Sequence, residues 1–478
     1  MVILEDRPEN APSICGERWY LLAIIGACFF AYMYISTGFV IVNDVVAEYF
    51  DRSAEETDLL GTLGCLTAFV ACFLVLCIGQ KTSLRCISIV AGTCLFIGSS
   101  CATIGFLGKR TYWMVILGVA SSGISFGLLL LLPLLLFNKL FDAMYSPVIF
   151  SIPFGCLYVG GIISESAFQY LIRNCTMCYE SDPGFWTAES IRQAFVRGFG
   201  VISLLAFGAA VLLCLNTRLI KSKGNEENDD KDDASSEEQE STDSKYYIEW
   251  LRDDMRDICR RDFVLICLAN FMGTPIQIYT LLRVPGMLWK NFPNVGVSVI
   301  TYTHILTMIS GFAGSVTVAI VLLRFRALKE IALLASSAAA VSCAGIYLGY
   351  ILKIYAVLIP FQIIISFSWM FCMITLLEIL STLEGNANKI TSVAFYFAIY
   401  NAGLFGFDLW ERYCAINYYG QNIFELSMLV TGLCTPVLLS LLGSGCCNKG
   451  PTASNLLAGE THVTTERSRL INRSKTTD

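Results

Sequence analysis

Four ionisable side chains, Glu165, His304, Glu378 and Asp408, interrupt runs that are otherwise apolar, and Glu378 stands alone in "WMFCMITLLEILSTL", Trp369 to Leu383. A charge at the centre of a bilayer costs about 2.5–3.5 kcal/mol on insertion scales, so each needs a reason to persist. One reading makes such a group a proton relay; the other places each near the end of a span, where it reaches water. Glu378, about one helical turn from the end of its run, is expected to pair with a basic or hydroxyl group at an inner gate. Its role would lie in a conformational cycle rather than in substrate choice. Glu165 is the second candidate for gating or coupling.

Catalysis needs convergent reactive groups, and the chain is poor in them, with His304 and His462 as its only histidines. HExxH, P-loop and dinucleotide signatures are all missing, which points away from an enzyme and predicts no cofactor. Cys175 and Cys178 form a CxxC with no second pair, so no metal site is predicted. What the apolar runs do carry is polar and aromatic side chains at mid-depth, as in "YMYISTG", "ASSGISFG", "CLYVGGIISES", "ANFMGTPIQIY", "SFSWMF" and "YNAGLFG". Groups of this kind line the central cavity of a transporter. Serine and threonine in such helices mostly bond to backbone, so the candidate substrate contacts are Tyr34, Tyr158, Gln277, Tyr279, Trp369 and Asn401. Aromatic faces would suit an ammonium group.

These residues sit on elements that only a bilayer explains. Of 478 residues 55% are hydrophobic and 15% charged, with mean hydropathy +0.61. Apolar runs of about 20 residues, enough to span about 30 Å of hydrocarbon, recur near 19–43, 59–79, 84–107, 112–137, 145–171 and 193–215. Six more follow near 262–284, 295–323, 329–351, 355–381, 391–410 and 421–443. The charged leader before the first run argues against a cleavable signal peptide. Much of the net charge of −6 lies in "NEENDDKDDASSEEQESTD", which is too polar to bury a core. The basic residues are dispersed, so no nucleic-acid surface is expected.

The expected organisation is an N-terminal segment (1–18), a six-helix half (19–217), an acidic disordered linker (218–257), a second six-helix half (258–443) and a tail (444–478). Two pseudo-symmetric six-helix halves joined by a polar loop make an all-α membrane protein of twelve transmembrane helices, the layout of the major facilitator fold. "GQKTSLR" (Gly79 to Arg85) and "LRFRALK" (Leu323 to Lys329) are basic turns at corresponding places in the two halves. They match the position of that superfamily's loop motif, with Gln80 where its Asp is usual, and make Gln80 and Arg85 candidates for gating.

The even span count puts both termini on one side, and Arg467, Arg469, Arg473 and Lys475 favour the cytoplasm, although Lys109, Arg110, Arg283 and Lys290 would then face outward. "NCT" at Asn174 is a candidate glycosylation sequon in an external loop. Glu466, Leu470 and Ile471 in "ERSRLI" have the form of an acidic dileucine sorting signal, and Cys446 and Cys447 could carry palmitate. The plasma membrane and an endolysosomal membrane are the expected locations.

The segments "ERWYLLAI", "IVNDVVAEYF", "LLGTLGCLTAF", "LRCISIVAGTCLFIGS", "LYVGG" and "IYTLLR" are similar, in order and spacing, to solute carrier family 49, the feline leukaemia virus subgroup C receptor-related and disrupted-in-renal-carcinoma group. The resemblance covers nearly the whole membrane part but not the linker or tail. It implies choline or ethanolamine transport, with haem export linked to some members, and a Glu near the end of span ten, where Glu378 falls. The pocket departs from that pattern: Ile35 stands where the choline carriers place Trp, Ile276 where they place Tyr, and Phe154 where they place Gln. Either Tyr34, Tyr279 and Trp369 rebuild an aromatic cage or the substrate has changed.

The expected function is therefore alternating-access transport of a small organic solute, with choline-like or ethanolamine-like amines leading. Haem is second, with His304 as its available ligand, and a non-transporting receptor or scaffold third. The expected partners are a small-molecule substrate and the lipid bilayer, with no nucleic acid and a monomeric state.

Overall fold

The computed structural model describes residues 12–41, 43–78, 83–107, 111–141, 143–177, 188–221, 260–325, 327–383, 390–416 and 420–443. Gln80, Cys178, Cys446, Cys447, His462, Glu466, Leu470 and Ile471 lie outside the described residues, as do most of the linker and all of the tail beyond 443.

The first half comprises α1 (Pro12–Ile41), a short α2 (Asn43–Phe50), α3 (Ala54–Ile78), α4 (Leu84–Leu107), α5 (Tyr112–Leu140), α6 (Ser146–Met177) and α7 (Ala188–Lys221). The second comprises α8 (Arg261–Ile278), a π-helical segment (Tyr279–Arg283), α9 (Val284–Asn291), α10 (Val297–Arg324), α11 (Leu328–Leu352), α12 (Tyr355–Leu383), α13 (Ile390–Ile416) and α14 (Gly420–Ser440). Eleven of these helices are long and apolar enough to cross a membrane, and the apolar stretch Phe424–Ser440 of α14 completes the second group of six. Helices are what the composition demands, because in hydrocarbon every backbone group must be satisfied within its own segment.

Lipid is as apolar as leucine, so helices in a bilayer associate through close packing of small residues. The α4–α5 crossing shows it. A Cβ on Gly98 would stand 2.8 Å from the Gly118 carbonyl oxygen, and one on Gly118 would stand 2.8 Å from the Ala102 nitrogen. Within the first half α1 packs on α6 and α4 on α5 and α7; within the second α11 packs on α12 and α14. The halves meet along two seams, α3 against α13 and α6 against α10. Counted as spans, these are two against eleven and five against eight, the pairing that a pseudo-two-fold axis between the halves requires.

Several expectations change in detail. The acidic stretch after the first span holds the helix α2, whose Val46, Tyr49 and Phe50 are buried. That i, i+3, i+4 spacing puts them on one face, and Tyr49 donates to the Phe106 carbonyl at 3.2 Å. Helix α7 continues to Lys221, past the expected linker boundary at 218. Asn174 lies within the last turns of α6 rather than in a loop.

The seventh span has the most individual geometry. Pro275 lacks the N–H that would bond the Phe271 carbonyl, and the Thr274 hydroxyl donates to that carbonyl instead, at 2.7 Å. One turn later the helix widens into the π segment Tyr279–Arg283, then resumes as α9.

Candidate functional site

A small cavity of about 40 Å³ lies between the halves, lined by Tyr32, Met33 and Ser36 of α1, Cys65 of α3, Phe126 of α5, Leu157 of α6, Gln277 and Ile278 of α8, Leu281 and Leu282 of the π segment, and Tyr400, Asn401 and Leu404 of α13. The lining carries no charged side chain. Tyr32 stacks flat on Phe126, with ring centroids 4.1 Å apart and planes 6° apart. Gln277 Oε1 accepts a hydrogen bond from Trp369 Nε1 at 3.2 Å. Asn401 donates to the Phe397 carbonyl at 2.8 Å, while its Oδ1 and the hydroxyls of Tyr396 and Tyr400 have no hydrogen-bond partner, and neither polar atom of the Asn270 side chain has one. Buried polar groups are normally bonded, and this concentration of unbonded ones falls on α8 and α13, with Tyr400 and Asn401 at the cavity wall and Asn270 and Tyr396 outside its lining.

Of the six candidate contacts, Gln277 and Asn401 line the cavity, and Trp369 joins them through its bond to Gln277. Trp369 lies over Gly273, where a Cβ would stand 1.6 Å from its ring. Tyr158 is fully buried, its ring against Gly311 and its hydroxyl beside those of Ser366 and Thr280. Tyr34 and Tyr279 point elsewhere. Tyr34 rests on Phe168, 5.8 Å between centroids, inside the first half. Tyr279 bonds Tyr350 and accepts from Gln362 Nε2, both at 3.0 Å, inside the second.

An aromatic cage of Tyr34, Tyr279 and Trp369 is therefore not assembled, and Ile35, Phe154 and Ile276 do not line the cavity either. The aromatic walls that the sequence reading missed are Tyr32, Phe126 and Tyr400. Tyr32 and Tyr34 are two residues apart, about 200° around a helix, so only one of them can face the centre. The i, i+1, i+4 set Tyr32, Met33 and Ser36 was the available signal.

The cavity is flanked towards both faces by polar contacts between the halves. On the face where α1 begins and α14 ends, here the terminal face, Ser146 Oγ donates to Glu378 Oε1 at 2.6 Å. On the opposite face Arg283, at the end of the π segment, reaches Asp408 Oδ1 at 2.5 Å, Asp58 Oδ2 at 3.3 Å and Glu411 Oε2 at 3.3 Å. Arg412 adds Asp408 at 3.2 Å and Asp58 at 3.4 Å, and Thr62 donates to Asp408. Asp58 and Thr62 belong to α3, the rest to the second half, so the cluster ties the α3–α13 seam. On the α6–α10 seam, His304 Nδ1 lies 2.8 Å from Glu165 Oε2.

Glu165, His304, Glu378 and Asp408 are all buried in this arrangement of the halves. Arg85 is exposed on the first turn of α4 at the terminal face. The described residues contain no cluster of three or more His, Cys, Asp or Glu able to hold a metal ion.

No family model matches the sequence, and no curated protein does. Solved structures do match the fold. The transporter FucP in an outward conformation is 12% identical, with a TM-score of 0.64 over 90% of this chain and 100% of that one. The proton:xylose symporter XylE is 13% identical, with a TM-score of 0.64 over 90% and 97%. A bacterial homologue of the iron transporter ferroportin, in an outward-facing state, is 10% identical, with a TM-score of 0.62 over 88% and 98%. With two packed groups of six helices and these likenesses along nearly its whole described length, the chain has the major facilitator fold.

Proposed function

We propose that this protein is a transporter that carries a small organic amine of the choline or ethanolamine type by alternating access. The observation that carries the transport reading is the cavity between the halves, flanked towards one face by Ser146–Glu378 and towards the other by the Arg283 cluster. Each closure is made of contacts between the halves, so each can open by rocking of one half against the other. The cavity of about 40 Å³ is well below the roughly 300 Å³ of the smallest usual ligand pockets, which fits an occluded, solute-free conformation.

The amine reading rests on the lining and on the resemblance to solute carrier family 49. Three aromatic rings face a space with no fixed cation, and a cation over an aromatic face gains about 0.5–2 kcal/mol, more when dry. An anion would find no counter-charge there. Haem has less support, since both ring nitrogens of His304 are engaged, one by Glu165 and one by the Thr280 carbonyl. A neutral hydroxylated solute is the second reading, favoured by the unbonded Tyr400 and Asn401 groups.

The test is uptake of labelled choline and ethanolamine into cells expressing the chain with Leu470 and Ile471 changed to alanine, competed with unlabelled amines and with neutral hexoses. Saturable uptake displaced by amines supports the proposal. Displacement by hexoses alone moves it to the second reading. Absence of uptake, with surface expression verified, overturns the substrate.

A further inference from the structure

Glu165 and His304 are each 1% exposed and lie on helices of opposite halves. We propose that this pair is a proton-binding site that couples solute movement to a proton; the idea deepens the transport reading and rests on it. The argument is one of donors and acceptors. His304 Nε2 lies 3.3 Å from the Thr280 carbonyl oxygen, and a carbonyl can only accept, so Nε2 carries hydrogen. His304 Nδ1 then faces Glu165 Oε2 at 2.8 Å, a distance that requires one more proton between them. The pair holds it as imidazolium and carboxylate, or as imidazole and carboxylic acid. Remove it and two lone pairs confront each other in a site without water, which favours separation of α6 from α10.

No other buried carboxylate in the seams behaves this way. Asp408 is balanced by Arg283 and Arg412, and arginine does not give up its proton in proteins. Glu378 is met by a hydroxyl. Around the pair, the titratable and charged groups of the neighbouring elements are engaged elsewhere or lie towards the surface. Arg283 of the π segment belongs to the other cluster, Tyr355 of α12 bonds Thr303, and Tyr34 of α1 rests on Phe168. On α7, Arg192 is half-buried and Arg197 exposed. Among the described residues Glu165 has no ion pair other than His304.

The proton enters from water on the opposite face while the seam is open and is trapped between Oε2 and Nδ1 as the seam closes. When the terminal face opens, the proton leaves the pair to water that enters from that side, and the pair is left one proton short for the return. One proton accompanies each solute and no other reactant is consumed.

The full chain in proteoliposomes, with a trapped pH dye and gradients of choline or ethanolamine, reads the coupling. Non-cysteine spin labels at positions 170 and 302, whose tyrosines are 66% and 65% exposed, read the seam independently of any solute. Solute gradients should drive proton movement in the wild type, and Glu165→Gln, whose amide can donate to Nδ1 without a proton, should reduce it to the level of protein-free vesicles. The label distance should be longer at high than at low pH in the wild type and stay short in the variant. Uptake without proton movement overturns the proposal, as does a wild-type distance that ignores pH. No uptake of either amine, with a pH-dependent distance that Glu165→Gln removes, supports the proton site and refutes the amine.

Discussion

Replacing Arg283 by methionine should unlock the opposite face. The guanidinium pairs with Glu411 and shares Asp408 and Asp58 with Arg412. Two arginines face three carboxylates, so the cluster carries one net negative charge, and the substitution makes it two. Asp408 and Glu411 are nearly inaccessible in the closed state, and leaving a buried charge without its partner costs about 3–5 kcal/mol. With the face open, water solvates the same carboxylates and most of that cost disappears. The equilibrium between closed and open should therefore shift by roughly two to three and a half powers of ten, at 1.4 kcal/mol per tenfold.

Spin labels replacing Leu59 on α3 and Tyr413 on α13 read the change as a longer distance across that seam, and solute binding from that side should persist while turnover falls. Asp58→Asn is the companion test. Asp58 supplies both ion pairs of the cluster that cross the seam, so its loss should lengthen the same distance, by less than Arg283→Met because its side chain is 35% exposed and an exposed pair contributes only about 0–1 kcal/mol. A wild-type distribution in Arg283→Met would refute the claim that this cluster holds the face shut.

The terminal face offers a parallel case, since Glu378→Gln keeps an acceptor for Ser146 but loses the charge, and should slow uptake with the ranking of competing solutes unchanged; a changed ranking would move Glu378 into solute recognition. Gly273→Ala places a methyl inside the Trp369 ring, and overpacking of this kind costs about 1–3 kcal/mol. The protein should still purify as a folded monodisperse species, with a lower melting temperature by fluorescence scanning and with uptake lost as Trp369 leaves Gln277. Tyr32→Ala should weaken solute affinity several-fold in competition assays, whereas Tyr34→Ala should leave affinity alone and lower thermal stability through its contact with Phe168; the reverse pattern would mean that α1 presents the other face.

The spans were legible because an uninterrupted apolar run of about 20 residues has few alternatives to a membrane helix. Helix α2 was not, since its acidic residues hid a one-sided apolar face of only eight residues. The site was legible by residue type but not by direction. Gln277 and Asn401 meet at the cavity as their polarity suggested, while Tyr34 and Tyr279 are equally polar and aromatic and turn into the two halves, a choice made by packing against Phe168 and Tyr350. The positions Ile35, Phe154 and Ile276, to which the family resemblance pointed, fall outside the lining. The ion pairs across the seams join residues up to 354 positions apart, and no local pattern announces them.

The π segment gives the seventh span one surplus residue, and two assignments hang on that surplus. Gln277, before it, lines the cavity whatever its length, while the Thr280 carbonyl within it receives His304 and Arg283 at its end reaches the carboxylates of the opposite face. Removing any one residue from 279–283 would restore an ordinary helix and turn everything beyond by about 100°, carrying Arg283 away from its carboxylates while Gln277 stayed in place. Length in this stretch should thus be under stronger selection than the identity of its apolar members. An insertion or deletion here would separate recognition from closure in a single genetic event, giving a protein that binds its solute and does not release it on the other side.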